Sequence, residues 1–356
     1  MIVTTTRIVI AAFAVFVAAK CLAAPGRGSV YPEYVQAGRD FWSGEPASFV
    51  ARQYLPYFSL AASPLALLPP RLGQLAWAMA GLAVYFTGLR LFFRACVLPS
   101  LPGLDERRAW GAFLACGMLV GVQSLANEQA NVLIAGLLMH GTAAAARQRW
   151  AAAAVCLALP MFKLYPLALG LALAALHPRR LLVPLLSCAA VLLLLPFAFL
   201  PPADAWERYA WIAAYAQEGR HSSNFVLVGV REFLQQRGVE MSFGQYFLVQ
   251  ALAGGIIPLL ALAGRDGSRR TFVLVSLWFV TFGPSVEGPT YLLAAPALGW
   301  LLLRSAHGRE WLAFGFVLAT VLLCGPAQTS VLGVEAQRWL ARSRLGCVAL
   351  LGAYLW

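Results

Sequence analysis

Residues 150–200 read WAAAAVCLALPMFKLYPLALGLALAALHPRRLLVPLLSCAAVLLLLPFAFL. The second part, 181–200, carries no charge over about 20 residues, the length a helix rising about 1.5 Å per residue needs to cross a hydrocarbon layer about 30 Å thick. The first part, between Arg149 and Arg179, is equally apolar, yet Pro160 and Pro166 divide it. Each half is about 12 residues, too short to cross. A broken hairpin that enters and leaves on one side is the expectation. Interrupted backbone at membrane depth survives only where protein covers it or water reaches it. The tip, with Lys163, should therefore line a cavity.

The rest of the chain has the same character. Of 356 residues 60% are apolar and only 12% charged, with a mean hydropathy of +0.71. A soluble domain carries roughly a quarter charged residues and has no interior large enough for so much apolar surface. The expected class is an all-α polytopic integral membrane protein of about 9 to 12 membrane helices, forming a single domain over 1–356. The net charge of +12 does not point to nucleic acid, because the basic residues form short clusters between apolar runs and not a stripe along one face. The seven cysteines fall in or beside apolar segments without paired spacing, so they suit buried small side chains and neither a metal nor a redox motif. The run 7–24 follows Arg7 and ends in small residues like a secretory signal, but spans continue throughout, and it is expected to stay as the first helix.

Arginine sets the expected topology. Arg90, Arg94, Arg107 and Arg108; Arg147 and Arg149; Arg179 and Arg180; Arg265, Arg269 and Arg270; and Arg304 and Arg309 should face the cytoplasm. The connections near 123–131 and 283–290 contain no lysine or arginine and should face outward. Spans are expected near 7–24, 72–95, 109–124, 130–146, 181–200, 245–264, 271–284, 289–304 and 310–325. Two long outward segments, 25–70 and 201–244, are rich in Tyr, Trp and Phe and should form helices lying in the interface. Beyond Pro326 the topology stays open, because Arg338, Arg342 and Arg344 interrupt the last apolar run.

Charged or amide groups within such spans are expensive, by about 3 kcal/mol on insertion scales, and so are functional candidates. Asn127, Gln129 and Asn131 open a span on the outward side; Lys163 tops the broken hairpin; Glu287 sits in the turn Gly283–Tyr291 between two spans. All three land at the same face as the two aromatic loops. Separately they read as a helix cap, a snorkelling ammonium and a solvated turn carboxylate, and their convergence is what points to a site. No Asp-x-Asp pair, glycine-rich phosphate loop or Rossmann pattern is present, so a cytosolic nucleotide-sugar enzyme is not indicated, and neither is a cofactor. A cation with a carboxylate among apolar helices suits a substrate with a lipid tail and a phosphate head: Lys163 or Arg220 can bind the phosphate and a carboxylate can deprotonate an acceptor hydroxyl. A lipid-linked sugar flippase or small-solute transporter is the main alternative, because broken helices and a buried lysine also occur there. The internal repeats common in transporters are not visible.

Several stretches resemble the family 87 glycosyltransferases, long called the domain of unknown function 2029. Tyr31-Pro32-Glu33-Tyr34-Val35-Gln36-Ala37-Gly38-Arg39, followed by Trp42 and Gly44-Glu45, looks like the family's first outward loop. Asn127–Asn131 resembles its Gly-Gln-x-Asn segment, with Glu128 where glycine is usual. Lys163-Leu164-Tyr165-Pro166 resembles its Lys-x-x-Pro, and Asn224–Gly229 its Asn-x-Ser-x-x-Gly without the serine. Gly283–Tyr291 is similar to a Gly-Pro-x-x-Glu segment of one branch. The resemblance implies a membrane glycosyltransferase-C-like fold in the plasma (inner) membrane, with its active site on the non-cytoplasmic side. It implies inverting transfer of a hexose, often mannose, from a polyprenyl-phosphate donor to a lipid or glycan acceptor, often without a required metal. The family's usual acidic base, seven positions before Ala37, falls here on Val30; the resemblance then leaves that role to Glu33 or Asp40 nearby or to Glu287 from the late turn, or else implies an inactive or altered homologue. Tyr165, Asn224 and Tyr291 join the substrate-binding candidates on the same grounds.

Overall fold

The computed structural model describes residues 2–217, 229–262, 267–283, 286–329 and 334–355. Among them the protein is built from helices: α1 (Ile2–Ala23), α2 (Tyr31–Ser43), α3 (Phe49–Gln53), α4 (Pro56–Ala62), α5 (Pro70–Phe92), α6 (Glu106–Ala126), α7 (Ala130–Ala146), α8 (Trp150–Ala158), α9 (Leu167–Leu176), α10 (Val183–Leu194), α11 (Pro202–Gln217), α12 (Val230–Gln235), α13 (Phe243–Leu262), α14 (Gly267–Phe282), α15 (Ala295–His307), α16 (Trp311–Cys324), α17 (Val334–Ser343) and α18 (Leu345–Leu355). Six segments in the described residues are long and apolar enough to cross a membrane: Thr5–Ala23, Pro70–Ser100, Glu106–Ala126, Pro178–Ala198, Gly244–Ala261 and Trp311–Gln328. Shorter apolar helices fill the space between them. The all-α polytopic architecture is thus the one expected, with Ala130–Ala146 coinciding with the expected span 130–146.

Two expected spans differ in form. The expected span 271–284 falls on α14, which ends at Phe282, and 289–304 begins as a 3-10 turn over Gly288–Ala294 before continuing as α15. Both are walled by protein, with Phe272, Phe279, Val280, Leu292, Leu298 and Gly299 buried. Because neighbouring helices and not lipid surround them, they need no uniformly apolar run of about 20 residues.

The broken hairpin is present: α8 passes through a 3-10 turn, Leu159–Lys163, and returns as α9. Leu164 at the tip has φ +62° and ψ −50°, and the Tyr165 amide donates to the Lys163 carbonyl at 2.8 Å. This is a γ-turn of the rare, strained hand. Pro166 prevents the hairpin from continuing as one helix and aims Lys163 and Tyr165 to the same side.

The long helices pack closely through small residues. A Cβ on Gly136 would lie 2.7 Å from the Val84 carbonyl carbon, and one on Gly88 would lie 2.5 Å from the Gly136 carbonyl oxygen. The backbones of α5 and α7 therefore touch, as membrane helices do when van der Waals contact replaces the hydrophobic drive. The first outward segment also departs from an interfacial arrangement. Tyr31, Tyr34 and Phe41 of α2 are buried while Trp42 is 52% exposed, so α2 packs one face onto the bundle.

Candidate functional site

The antiparallel run of α6, α7, α8 and α9 brings the 127–129 turn and the hairpin tip to one end of the bundle. There the Lys163 ammonium donates to Asn131 Oδ1 at 2.8 Å, and the Tyr165 hydroxyl donates to the same oxygen at 3.2 Å. Asn131 in turn donates from Nδ2 to Gln129 Oε1 at 3.1 Å. The ammonium also lies 4.9 Å from the centre of the Tyr54 ring, where the negative face of the π-system attracts it. Lys163 is thus held by neutral groups.

Glu287 is a carboxylate near this group, and its charge is felt at Lys163, Tyr54 and Tyr165. Burial pushes the Glu287 carboxyl above the ordinary carboxylate range, and the positive charge of Lys163 pulls it partly back. The turn is held locally: the Glu287 amide donates to Thr290 Oγ1 at 3.3 Å and the Thr290 amide to the Glu287 carbonyl at 2.9 Å. Ser124 Oγ donates to the Pro289 carbonyl, tying this turn to α6.

The segment 25–70 packs against the hairpin tip and the 127–131 turn. The Leu55 amide donates to the Phe162 carbonyl at 2.8 Å, and the Tyr57 hydroxyl to the Leu159 carbonyl at 2.9 Å. Tyr34 accepts the Ala130 amide at 2.7 Å through its hydroxyl, and the Val30 amide donates to the Asn127 carbonyl at 3.2 Å. Rings of Tyr34, Tyr54, Phe58, Trp77 and Phe162 pack with centroids 4.6–6.5 Å apart. The aromatic residues of this loop therefore form a wall of the site more than an interfacial belt.

Glu128 explains why glycine is usual at its position in the segment it resembles. Its φ of +57° is the left-handed region that favours glycine. Here a glutamate occupies it, fully covered, and its carboxylate accepts Gln74 Nε2 at 2.7 Å, the Ser29 hydroxyl and Lys20 Nζ at 3.3 Å. Its carbonyl accepts Trp77 Nε1 at 2.8 Å. One side chain therefore ties α1, the start of the outward loop and α5 to the 127–129 turn.

The remaining candidates separate. Asp40 is buried, its carboxylate accepting the Ser48 amide and hydroxyl, each at 2.7 Å, and Gln36 Nε2 at 2.8 Å. It braces the junction of α2 and α3 and is held away from Lys163 by those bonds. Glu33 follows the same helix one residue before Tyr34, so its side chain leaves about 100° from the hydroxyl that reaches the 127–131 turn. Tyr291 is buried with its hydroxyl 3.2 Å from where a Cβ on Gly346 would sit, and the charges of Arg344 and Glu232 reach it. Asn127 contributes its backbone at the end of α6. Arg220 and Asn224 lie outside the described residues.

Three groups went unremarked in the sequence, Tyr54, Trp77 and Gln74 as above; Arg208 stood out only as a charge among the aromatic residues of 201–244. Arg208 is 5% exposed and donates from Nε and Nη2 to the Phe41 carbonyl, both at 3.2 Å. It caps the C-terminal end of α2, where a cation opposes the helix dipole, and thereby fastens α11 to the first loop. Glu232 of α12 lies beside the same late turn: a Cβ on Gly229 would meet Glu232 Oε2 at 2.9 Å and Val286 Cβ at 3.7 Å. Burial raises its carboxyl also, with Arg344 and Arg231 lowering it.

No curated protein and no solved structure matches this chain. The family model for glycosyltransferase family 87 matches residues 53–327, a stretch that holds the 127–131 turn, the hairpin tip and the Glu287 turn but begins after α2. Spanning most of the chain, with Asn131, Lys163, Tyr165 and Glu287 inside it, this match makes the protein a member of glycosyltransferase family 87.

Proposed function

We propose that the protein transfers a hexose, mannose-like, from a polyprenyl-phosphate sugar to a lipid or glycan acceptor, with inversion, at the non-cytoplasmic face of the plasma (inner) membrane. The observation that carries this reading is the Lys163 ammonium, fixed by Asn131 and Tyr54 in the field of the buried Glu287. Lys163 binds the donor phosphate and stabilises the charge that grows on it as the bond to the sugar C1 breaks. Glu287 accepts the proton of the acceptor hydroxyl as its oxygen bonds to C1 from the opposite side. Polyprenyl phosphate leaves. Asn131 holds the ammonium, Gln129 and Tyr165 hold Asn131, and all three present polar edges to the sugar.

A place for the isoprenoid tail supports the donor class. A cavity of about 410 Å³ lies between α9, α13 and α14, lined by Leu171, Phe247, Ile257, Val275 and Trp278 among others. It adjoins the site through rings: Trp278 packs on Phe279 at 5.5 Å, and Phe279 on Tyr165 at 5.3 Å.

Purified protein in nanodiscs, given a polyprenyl-phosphate hexose and candidate acceptors, is expected to release polyprenyl phosphate and form a glycosylated product. Glu287→Gln and Lys163→Ala should each lower turnover by roughly 10²-fold or more, the scale of removing a general base or a charge-stabilising donor. Full activity in both variants would overturn the assignment. Movement of the intact donor across the bilayer without sugar transfer would favour a flippase.

A further inference from the structure

The sequence holds only two lysines, Lys20 and Lys163, and both bond to the 127–131 turn or to the residue before it. Lys163 reaches it through Asn131 Oδ1 at 2.8 Å. Lys20, near the C-terminal end of α1, donates to the Gly28 carbonyl at 3.2 Å, to the Ala126 carbonyl and to Glu128 Oε1 at 3.3 Å. Three acceptors match the three protons of an ammonium, and one of them is a carboxylate. The Glu128 side chain is 0% exposed, so its charge is balanced inside the protein by Lys20.

This pair bears on Lys163 through the backbone. Glu128 has φ +57°, a conformation that is uphill for any residue with a Cβ, and it persists because its side chain is anchored. The dihedral angles of Glu128 set the direction in which the chain continues into Gln129, which is extended at φ −70° and ψ 146° and starts α7. Gln129 Oε1 accepts Asn131 Nδ2 at 3.1 Å, and Asn131 Oδ1 accepts the Lys163 ammonium. An unbroken series of bonds thus joins the two lysines: Lys20, Glu128, Gln129, Asn131, Lys163. Removing the cation from a buried ion pair costs more than removing both members, because the carboxylate left behind has lost its compensation. Loss of Lys20 therefore drives Glu128 toward water and out of its left-handed backbone, and Gln129 turns with it.

We propose that Lys20 is a positioning residue for the transfer site: paired with Glu128, it fixes the 127–131 turn and, through Gln129 and Asn131, the orientation of the Lys163 ammonium. This rests on the reading of Lys163 as the group that receives the donor phosphate. It makes α1 a part of the site's framework and more than a membrane anchor.

Lys20→Met leaves Lys163 as the only lysine, so the Lys163 amine can be followed by limited acetylation with acetic anhydride and mass spectrometry of the peptide that carries it. In the full-length protein in nanodiscs, folded by its thermal melt, Lys20→Met should raise the acetylation rate of Lys163 about fivefold, the factor that goes with weakening one hydrogen bond to the ammonium. With a polyprenyl-phosphate hexose as donor, its donor KM should rise by about the same factor while the acceptor KM holds. Glycine adopts the left-handed backbone freely and brings no carboxylate, so in a Glu128→Gly background Lys20→Met should change either readout by less than about twofold, a non-additivity that marks a direct link. Lys20→Arg keeps the charge but replaces the compact ammonium by a planar fork; it should shift both readouts in the same direction, and it serves if methionine prevents folding. Unchanged Lys163 acetylation in a folded Lys20 variant overturns the proposal. So does an equal effect of Lys20→Met with and without Glu128, or a fall in kcat alone that tracks the folded fraction. Acetylation needs no turnover, so a wild-type protein that transfers no sugar yet shows the acetylation pattern would sink the transferase reading and retain the link between the two lysines.

Discussion

At the scale of single residues, the molecule repeatedly places a costly group where another group makes it tolerable. Lys163 is a cation at membrane depth, and its nearest partners are an amide oxygen and an aromatic face, which orient the charge without neutralising it. This is the arrangement a site needs if the compensating anion arrives with the substrate. Glu287 is the complementary case, a carboxyl raised by burial and lowered by Lys163. A base works while deprotonated, so transfer should hold above its pKa and fall as pH drops through it, with the acid limb displaced upward from that of an ordinary carboxylate. Removing the lowering influence should move that limb further up. Residual turnover of Lys163→Ala measured across pH should therefore show its acid limb at higher pH than the wild type. Glu128 tests a different balance, left-handed backbone against a buried carboxylate with four donors, Gln74, Ser29, Lys20 and Cys21. Glu128→Ala and Glu128→Gly both lose the acceptor, at about 1–3 kcal/mol for the unsatisfied partners, but only alanine retains the backbone penalty of roughly 1 kcal/mol. The alanine variant should unfold at the lower temperature of the two in a detergent thermal melt.

At the scale of elements, the site is assembled by fasteners between segments far apart in sequence. The 127–129 turn holds α1, α5 and the outward loop through Glu128, and α2 through Tyr34. The hairpin tip holds α3 and α4 through backbone carbonyls, and Arg208 holds α11 against α2. One close contact lies between α5 and α7, whose backbones meet at Gly88 and Gly136. A valine at position 136 has nowhere to go except into the Val84 backbone, and over-packing of this kind is worth about 1–3 kcal/mol. Gly136→Val should lower the melting temperature and also turnover, because Gln129 and Asn131 ride on the N-terminal end of α7. Equal stability with full activity would show that the helices separate without consequence.

At the scale of the whole molecule, the two ends of the bundle differ in chemistry. One end gathers amides, aromatic rings, Lys163 and Glu287; the other gathers Arg90, Arg94, Arg180, Arg269 and Arg304. Single cysteines introduced into a background free of native cysteine at Asn127 and Gly288 should both react with a membrane-impermeant maleimide from the non-cytoplasmic side. Cysteines at Gln148 and Arg309 should react only after the membrane is permeabilised. Opposite sidedness of Asn127 and Gly288 would contradict a common chamber.

The fold class, the order of most spans and the broken hairpin were legible because hydrocarbon thickness imposes a length on every crossing helix and proline imposes a break, and both are local properties of the chain. Lys163, Asn131, Gln129 and Glu287 stood out for the same reason, as polar residues in apolar surroundings. Which of them meet was decided only by tertiary structure. Asp40 and Glu33 sit in one short helix and look alike in sequence, yet three hydrogen bonds retain the first within its loop while Glu287, some 125 residues beyond Lys163, supplies the facing carboxylate. The roles of Tyr54, Gln74 and Arg208 were invisible for the corresponding reason: a side chain's partner across the bundle depends on helix rotation and close glycine contacts, which no short-range pattern encodes.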